Sequence, residues 1–207
     1  AALPRKVLVV VQFAVSVMLI IGTLIVYRQI IFAQDRPVGY NRDGLITVAK
    51  LDPAYEGKLD VIKNELLNTG VVEQTVFSLS PLTQIWNNSS DFDWVGKQPR
   101  EYNFAVDYIS YGFGSTVGWQ FIAGRDFSKD FPTDTSKVII NETAAKDLGF
   151  KDPIGQYIKY GGGTQSKQIL GVIKDMVVES PYEPVKREIY FLDAKYNAAL
   201  HIDIKIK

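Results

Sequence analysis

The chain has 207 residues with 23 basic and 23 acidic side chains, so its formal net charge is zero. That balance excludes the basic stripe of a nucleic-acid binder, and the absence of cysteine excludes disulfides and thiolate metal sites. Three tryptophans, eleven tyrosines and eleven phenylalanines supply material for a core.

Near the start, Val7 to Val26 reads VLVVVQFAVSVMLIIGTLIV, and no charge falls between Lys6 and Arg28. As a helix, roughly 20 such residues span roughly 30 Å, the hydrocarbon thickness of a bilayer. Val and Ile are weak helix formers in water, but in lipid a lone segment can satisfy its backbone only as a helix. A cleaved signal peptide fits poorly, because the run is long and Ile31-Phe32-Ala33 is a poor cleavage site. Arg5 and Lys6 before the run, and Tyr27 and Arg28 after it, are its expected interface anchors in the lipid bilayer. Basic residues flank both ends, Arg36 and Arg42 included, so charge alone leaves the orientation open. Ile30, Ile31 and Phe32 keep an apolar flank among Gln29, Gln34 and Asp35 and carry the helix outward as a stalk, to end at Pro37 and Gly39. Gln29 and Phe32 are the candidate coupling positions in that stalk.

The remaining residues, roughly 170, suffice for one domain or two small lobes. Leu45 to Leu51 predicts a strand. Asp52-Pro53 offers an N-cap and a first-turn proline for a helix with Leu59, Ile62, Leu66 and Leu67 on its apolar side, closed by Gly70. Val71 to Leu79 predicts the second strand of this β-α-β unit. Phe92 to Gly96 and Tyr102 to Ile109 are expected as strands joined around Gln98-Pro99-Arg100, and Tyr111 to Gly118 as a short helix. Phe92 and Trp94 share one strand face, a candidate partner surface if exposed. Further on, Lys137 to Ile140 predicts a strand. Asn141 should cap a helix over Glu142 to Leu148 that ends at Gly149. Tyr157 to Tyr160 and Lys167 to Val172 read as strands around a Gly161-Gly162-Gly163 tip. Ile189 to Leu192 and the alternating Leu200 to Lys207 complete an α+β pattern.

Several pieces then stand in a telling order: Arg5-Lys6 before the apolar span, Gly39-Tyr40-Asn41, Gly124-Arg125-Asp126-Phe127 and Val138 to Ala145. Ile154-Gly155-Gln156, Gly171 to Asp175 and Glu188 to Phe191 follow. Together they resemble the extracytoplasmic core domain of MacB/FtsX-type ABC transporter permeases, over essentially the whole chain. The resemblance implies a transmembrane helix and stalk over residues 1–38. It implies a porter-like lobe over 39–125, completed by 187–207, and an inserted, smaller Sabre-like lobe over 126–186. It also implies a bacterial inner-membrane protein with the domain on the periplasmic side, and a chain that is a fragment of a longer, dimeric permease. Its partners would be a cytoplasmic ATPase subunit, which binds the ATP, and a periplasmic adaptor or effector protein.

Chemistry is sparse. A P-loop is absent, and neither catalytic, cofactor-binding nor metal-binding residues are expected. His201, the only histidine, is read as solvent-facing on its alternating strand. Asp91, Asp93, Glu101 and Asp107 are read as solvated carboxylates. Besides a non-catalytic permease that couples ATP hydrolysis to export or another extracytoplasmic event by mechanotransmission, two alternatives stand. One is an anchored sensor that binds a small ligand, which a signalling domain before Ala1 would support. The other is an anchored hydrolase, which lacks a visible nucleophile–base pair.

Overall fold

The computed structural model describes residues 2–35, 38–49, 55 and 57–207, in two compact units, Ala1–Pro37 and Val38–Lys207. The first unit is one helix, α1 (Ala2–Asp35), in which Pro4–Ala33 is long and apolar enough to cross a membrane, with mean hydropathy 2.6 and no part buried. Its hydroxyls turn back onto its own backbone. Ser16 Oγ donates to the Gln12 carbonyl at 2.9 Å and Thr23 Oγ1 to the Leu19 carbonyl at 2.8 Å, which suits apolar surroundings.

The second unit is a mixed sheet with short helices. In chain order it comprises β1 (Leu45–Ala49), α2 (Leu59–Asn68), β2 (Val72–Ser78), β3 (Asn88–Ser89), β4 (Phe92–Asp93) and β5 (Phe104–Ile109). Then come α3 (Phe113–Val117), β6 (Phe121–Gly124), β7 (Lys137–Asn141), α4 (Glu142–Leu148), β8 (Tyr157–Tyr160), β9 (Gln165–Ile173), β10 (Glu188–Leu192) and β11 (His201–Ile206). The sheet runs β1-β11-β2-β5-β10-β7-β9-β8-β4, with β3 on β5 and β6 on β9. The last strand therefore returns to the first unit of strands, antiparallel between β1 and β2. The expected cap at Asp52-Pro53 lies outside the described residues. From Leu59 onward, α2 packs Leu59 and Ile62 over Phe77 and Ile202.

Two cores lie on opposite faces of the sheet's middle. Val138 and Ile140 enter one and Ile139 the other; on β10, Ile189 and Phe191 enter the first, Tyr190 and Leu192 the second. A strand buried on both faces reads as a continuous apolar run, which is why Glu188–Leu192 shows little alternation. Helix α4 forms as its sequence predicts. The Asn141 side chain accepts the Ala144 N–H at 2.9 Å, and Gly149, at φ +74°, ends it. Behind Arg125, the fully buried Asp134 accepts Arg125 at 2.6 Å and Lys137 at 3.0 Å. Burial works against its charge, but these partners hold its carboxyl below the usual range.

One local expectation fails. Phe92–Gly96 and Tyr102–Ile109 do not pair with each other: β4 keeps two residues and joins β8, while β5 joins β10. Phe92, Trp94, Phe104 and Leu148 share one core, which β4 reaches from the β8 side. Strand β6 was not anticipated, since Phe121–Gly124 is too short to show a period. The expected lobe limits at 125–126 and 186–187 run between strands that pair, since β10 meets β7 and β4 meets β8.

Candidate coupling site

The stretch Val38 to Asn41, which precedes β1, is seated on the domain by its backbone. The Val177 N–H donates to the Val38 carbonyl at 2.8 Å, and the Asn41 N–H donates to the Val117 carbonyl at 2.8 Å. Gly39 lies at φ +82°, and its α-carbon faces the backbone of Asp175 and Met176 so closely that a methyl group would collide with the Asp175 carbonyl. Only glycine meets both demands without strain. Asn41 then closes a turn, its Oδ1 accepting the Asp43 N–H at 2.9 Å, and the chain enters β1.

The seat is tied into the sheet by side chains. The Asp175 carboxylate accepts the Thr143 N–H at 2.8 Å and the Thr143 hydroxyl at 2.7 Å, in the first turn of α4. Asn141 accepts the Glu188 N–H at 3.0 Å and donates to the Lys186 carbonyl at 2.8 Å. One asparagine thus joins β7, α4, β10 and the end of the 174–187 segment. Across the sheet, Asp107 on β5 accepts the N–H groups of Leu79, Ser80 and Tyr108 at 3.1, 3.0 and 2.8 Å. Burial pushes its carboxyl well above the usual range despite these three donors.

The sequence-predicted positions separate cleanly. Arg5, Lys6, Tyr27, Arg28, Gln29 and Phe32 all lie exposed on α1. Phe92 and Trp94 are corrected: they are 2% and 6% exposed, and no aromatic patch reaches solvent there. Phe92 stacks on Tyr160 at 4.8 Å between centroids, and Trp94 Nε1 donates to the Leu148 carbonyl at 3.0 Å. His201 is also corrected, being fully buried. Its ring meets Trp86 edge-on at 4.4 Å, and Nδ1 lies 2.9 Å from the Leu79 carbonyl; burial lowers its pKa. Trp86, from the segment between β2 and β3, covers the polar side of β11 at His201, while α2 covers the apolar side. Of the four carboxylates, Asp91, Asp93 and Glu101 are exposed as expected, Asp91 accepting the Gly162 N–H at 2.7 Å. Asp107 is corrected: it is half-buried and turned onto the backbone of Leu79 and Ser80. Among the described residues no group of three His, Cys, Asp or Glu is placed to hold a metal.

The sequence did not single out Asn141 as a hub, nor the half-buried Asp175 or the buried Glu188 as its neighbours. A signal was present, however: Gly39-Tyr40-Asn41, Val138–Ala145, Gly171–Asp175 and Glu188–Phe191 are far apart in sequence and meet around this seat.

The family model described as the MacB-like periplasmic core domain matches residues 8–201. The chain belongs to this family. It is the core domain of an ABC transporter permease of the MacB/FtsX type. The periplasmic region of MacB from Actinobacillus actinomycetemcomitans is 14% identical, with a TM-score of 0.55 over 82% of this chain and 76% of that one. The extracellular domain of YknZ, a noncanonic ABC-type transporter from Gram-positive bacteria, is 17% identical, with a TM-score of 0.52 over 79% of this chain and 83% of that one. These likenesses establish the MacB-like fold of the sheet unit. Among curated proteins, no sequence matches it. Membership also makes this a membrane protein with an extracytoplasmic domain, α1 being its apolar helix.

Proposed function

We propose that this MacB-like core domain works by mechanotransmission: it passes motion from its membrane helix to the sheet unit and performs no chemistry of its own. ATP is bound and hydrolysed by a separate cytoplasmic subunit. The permease acts as a dimer in a bacterial inner membrane, with the sheet unit on the periplasmic side and an adaptor or effector protein engaging it there. Arg5, Lys6, Tyr27 and Arg28 anchor the helix at the two interfaces. Gln29 and Phe32 lie in the stalk that carries the movement, and residues 126–186 form the insert that receives it.

The seat of Val38–Asn41 is the observation that carries this reading. A tether needs no defined backbone, whereas this stretch is held by two hydrogen bonds to separate parts of the domain and by a close approach at Gly39. Motion arriving at Val38 would therefore reach Val177, Asp175 and, through Thr143, helix α4.

The test is made in the assembled transporter. Gln29→Pro removes one helical hydrogen bond and clashes with the preceding turn, at about 3 kcal/mol or a kink. With Gln29→Ala as control, the proline variant should insert and fold, keep its ATPase rate, and lose most of the outside function. Gly39→Ala, which disturbs the seat instead of the stalk, should show the same uncoupling. Equal outside function in the proline and alanine variants at Gln29 would reduce the stalk to a tether.

A further inference from the structure

A small cavity of about 30 Å³ lies on the sheet between two loop walls. One wall is Ser80–Ile85, whose start is held by Asp107. The other includes Met176 and Val178, on either side of Val177, whose N–H holds Val38. On the floor, parallel strands β5 and β10 bring Asp107 opposite Tyr190, and Ala105 opposite Glu188. The remaining lining is mostly apolar, with Leu82, Phe113 and Met176. Glu188 is 4% exposed, and its carboxyl accepts the Tyr190 hydroxyl. Lys186, the cation that acts on it, is ion-paired with Glu179. The other charges acting on it are the carboxylates of Asp175 and Glu179, and Asp107 lies across Tyr190. Glu188 thus faces an apolar space and neighbouring acids, and Lys186 is already engaged by Glu179.

We propose that Glu188, Tyr190 and the 175–187 wall form a proton-operated latch, in which the closed wall holds Glu188 protonated and opening of the wall releases that proton to solvent. Burial, reinforced by Asp175 and Glu179 and opposed by the Tyr190 hydroxyl and Lys186, raises the closed-state pKa to about 8 from the usual 4.5. A raised carboxyl stabilises the closed form fully below its ordinary pKa and loses that contribution as pH rises through the raised one. Opening should therefore increase about tenfold per pH unit between these limits, and level off above about 8. Acid surroundings shut the latch and hold Val177 on Val38. The latch is a property of the fold, whether or not motion passes through the seat.

Hydrogen exchange on the full chain in detergent micelles tests this, read at residues 175–187 across the pH range and corrected for the intrinsic exchange rate. The wild type should show the rising slope and its plateau. Glu188→Gln, which keeps a neutral polar group in place, should lose the slope. Tyr190→Phe removes a hydrogen bond that favours the ionised acid, so its plateau should begin at higher pH. That shift carries the test if the glutamine variant does not fold. Asp203→Asn, on β11, should leave the slope at 175–187 intact. The latch is overturned if the wild type has no slope, if Glu188→Gln keeps it, or if Tyr190→Phe leaves the plateau where it was. It is also overturned if Asp107→Asn abolishes the slope while Glu188→Gln does not.

Discussion

The two ends of the sheet meet through one residue pair, Ser78 on β2 and Ile109 on β5, and they are built differently. On the β5 side, strands β5, β10, β7 and β9 carry a core on each face, and every residue of β10 is buried. On the β2 side, α2 covers one face with a small cluster, while the other buries His201, Asp203 and Ser78, and β1 leaves Ile46 and Val48 nearly half exposed. At the join, side chains supplement the ladder: Asp107 takes the N–H groups of Leu79 and Ser80, and Ser110 Oγ takes that of Phe77 at 2.9 Å. The difference teaches where stability and responsiveness are expected. Apolar packing on two faces carries the stability of the first end, where Glu188 is the buried acid of β10. At the other end, polar groups such as Asp203 tie the strands together and tie their stability to protonation.

The largest effect should come from the doubly covered end. Ile139 is fully buried on β7, between β10 and β9. Ile139→Ala leaves a cavity in a packed core, a loss of about 2–5 kcal/mol. Denaturant unfolding of the sheet unit should show it as a shifted midpoint with an unchanged slope. A change below about 1 kcal/mol would mean that this end can collapse around a void, and the contrast would fail.

A smaller effect, and one that depends on pH, should come from Asp203. It accepts the Thr47 hydroxyl at 2.6 Å and the Ser78 hydroxyl at 3.2 Å, joining β1, β11 and β2. Burial raises its carboxyl to about 6 from the usual 3.8, although both hydroxyls pull the other way. Its contribution is therefore fully present below about 3.8 and is lost as pH rises through about 6, a swing of at most about 3 kcal/mol. Asp203→Asn should flatten that part of the stability profile. An unchanged profile would show that Asp203 is solvated in the native state.

The sequence carried what is local and missed what is long-range. Helix α4 was legible because Asn141 and Gly149 mark its ends by their own chemistry, and the β8–β9 hairpin because three glycines separate two strand patterns. The apolar helix was legible from length alone. By contrast, nothing near Phe92 says that its strand joins β8, so Phe92 and Trp94 could not be distinguished from a surface pair. His201 alternates with isoleucines as a solvent-facing residue would. It is Trp86, folded over the ring from a segment more than 100 residues earlier in the chain, that covers it. The seat was half legible. Gly39-Tyr40-Asn41 belongs to the family pattern, but the reason for its glycine is the Asp175 backbone, 136 residues away in sequence and adjacent only in the fold.

The smallest effect should fall at Ile46, and it sharpens the contrast most directly because the residue type matches Ile139. Ile46 sits on edge strand β1 opposite Ile204, and 48% of it is exposed. Full burial of such a side chain stabilises by about 1.5–3 kcal/mol, so a half-exposed one contributes about 1 kcal/mol. Threonine keeps the β-branch that suits a strand and loses part of that burial, so Ile46→Thr should cost about 1 kcal/mol or less. An edge strand with exposed apolar side chains is also a place where another chain can add. If Ile46→Thr costs as much as Ile139→Ala in unfolding at high protein concentration, and little on dilution, Ile46 is covered by association in solution. The β1 end would then be an interface, and its apparent openness would belong to the isolated chain.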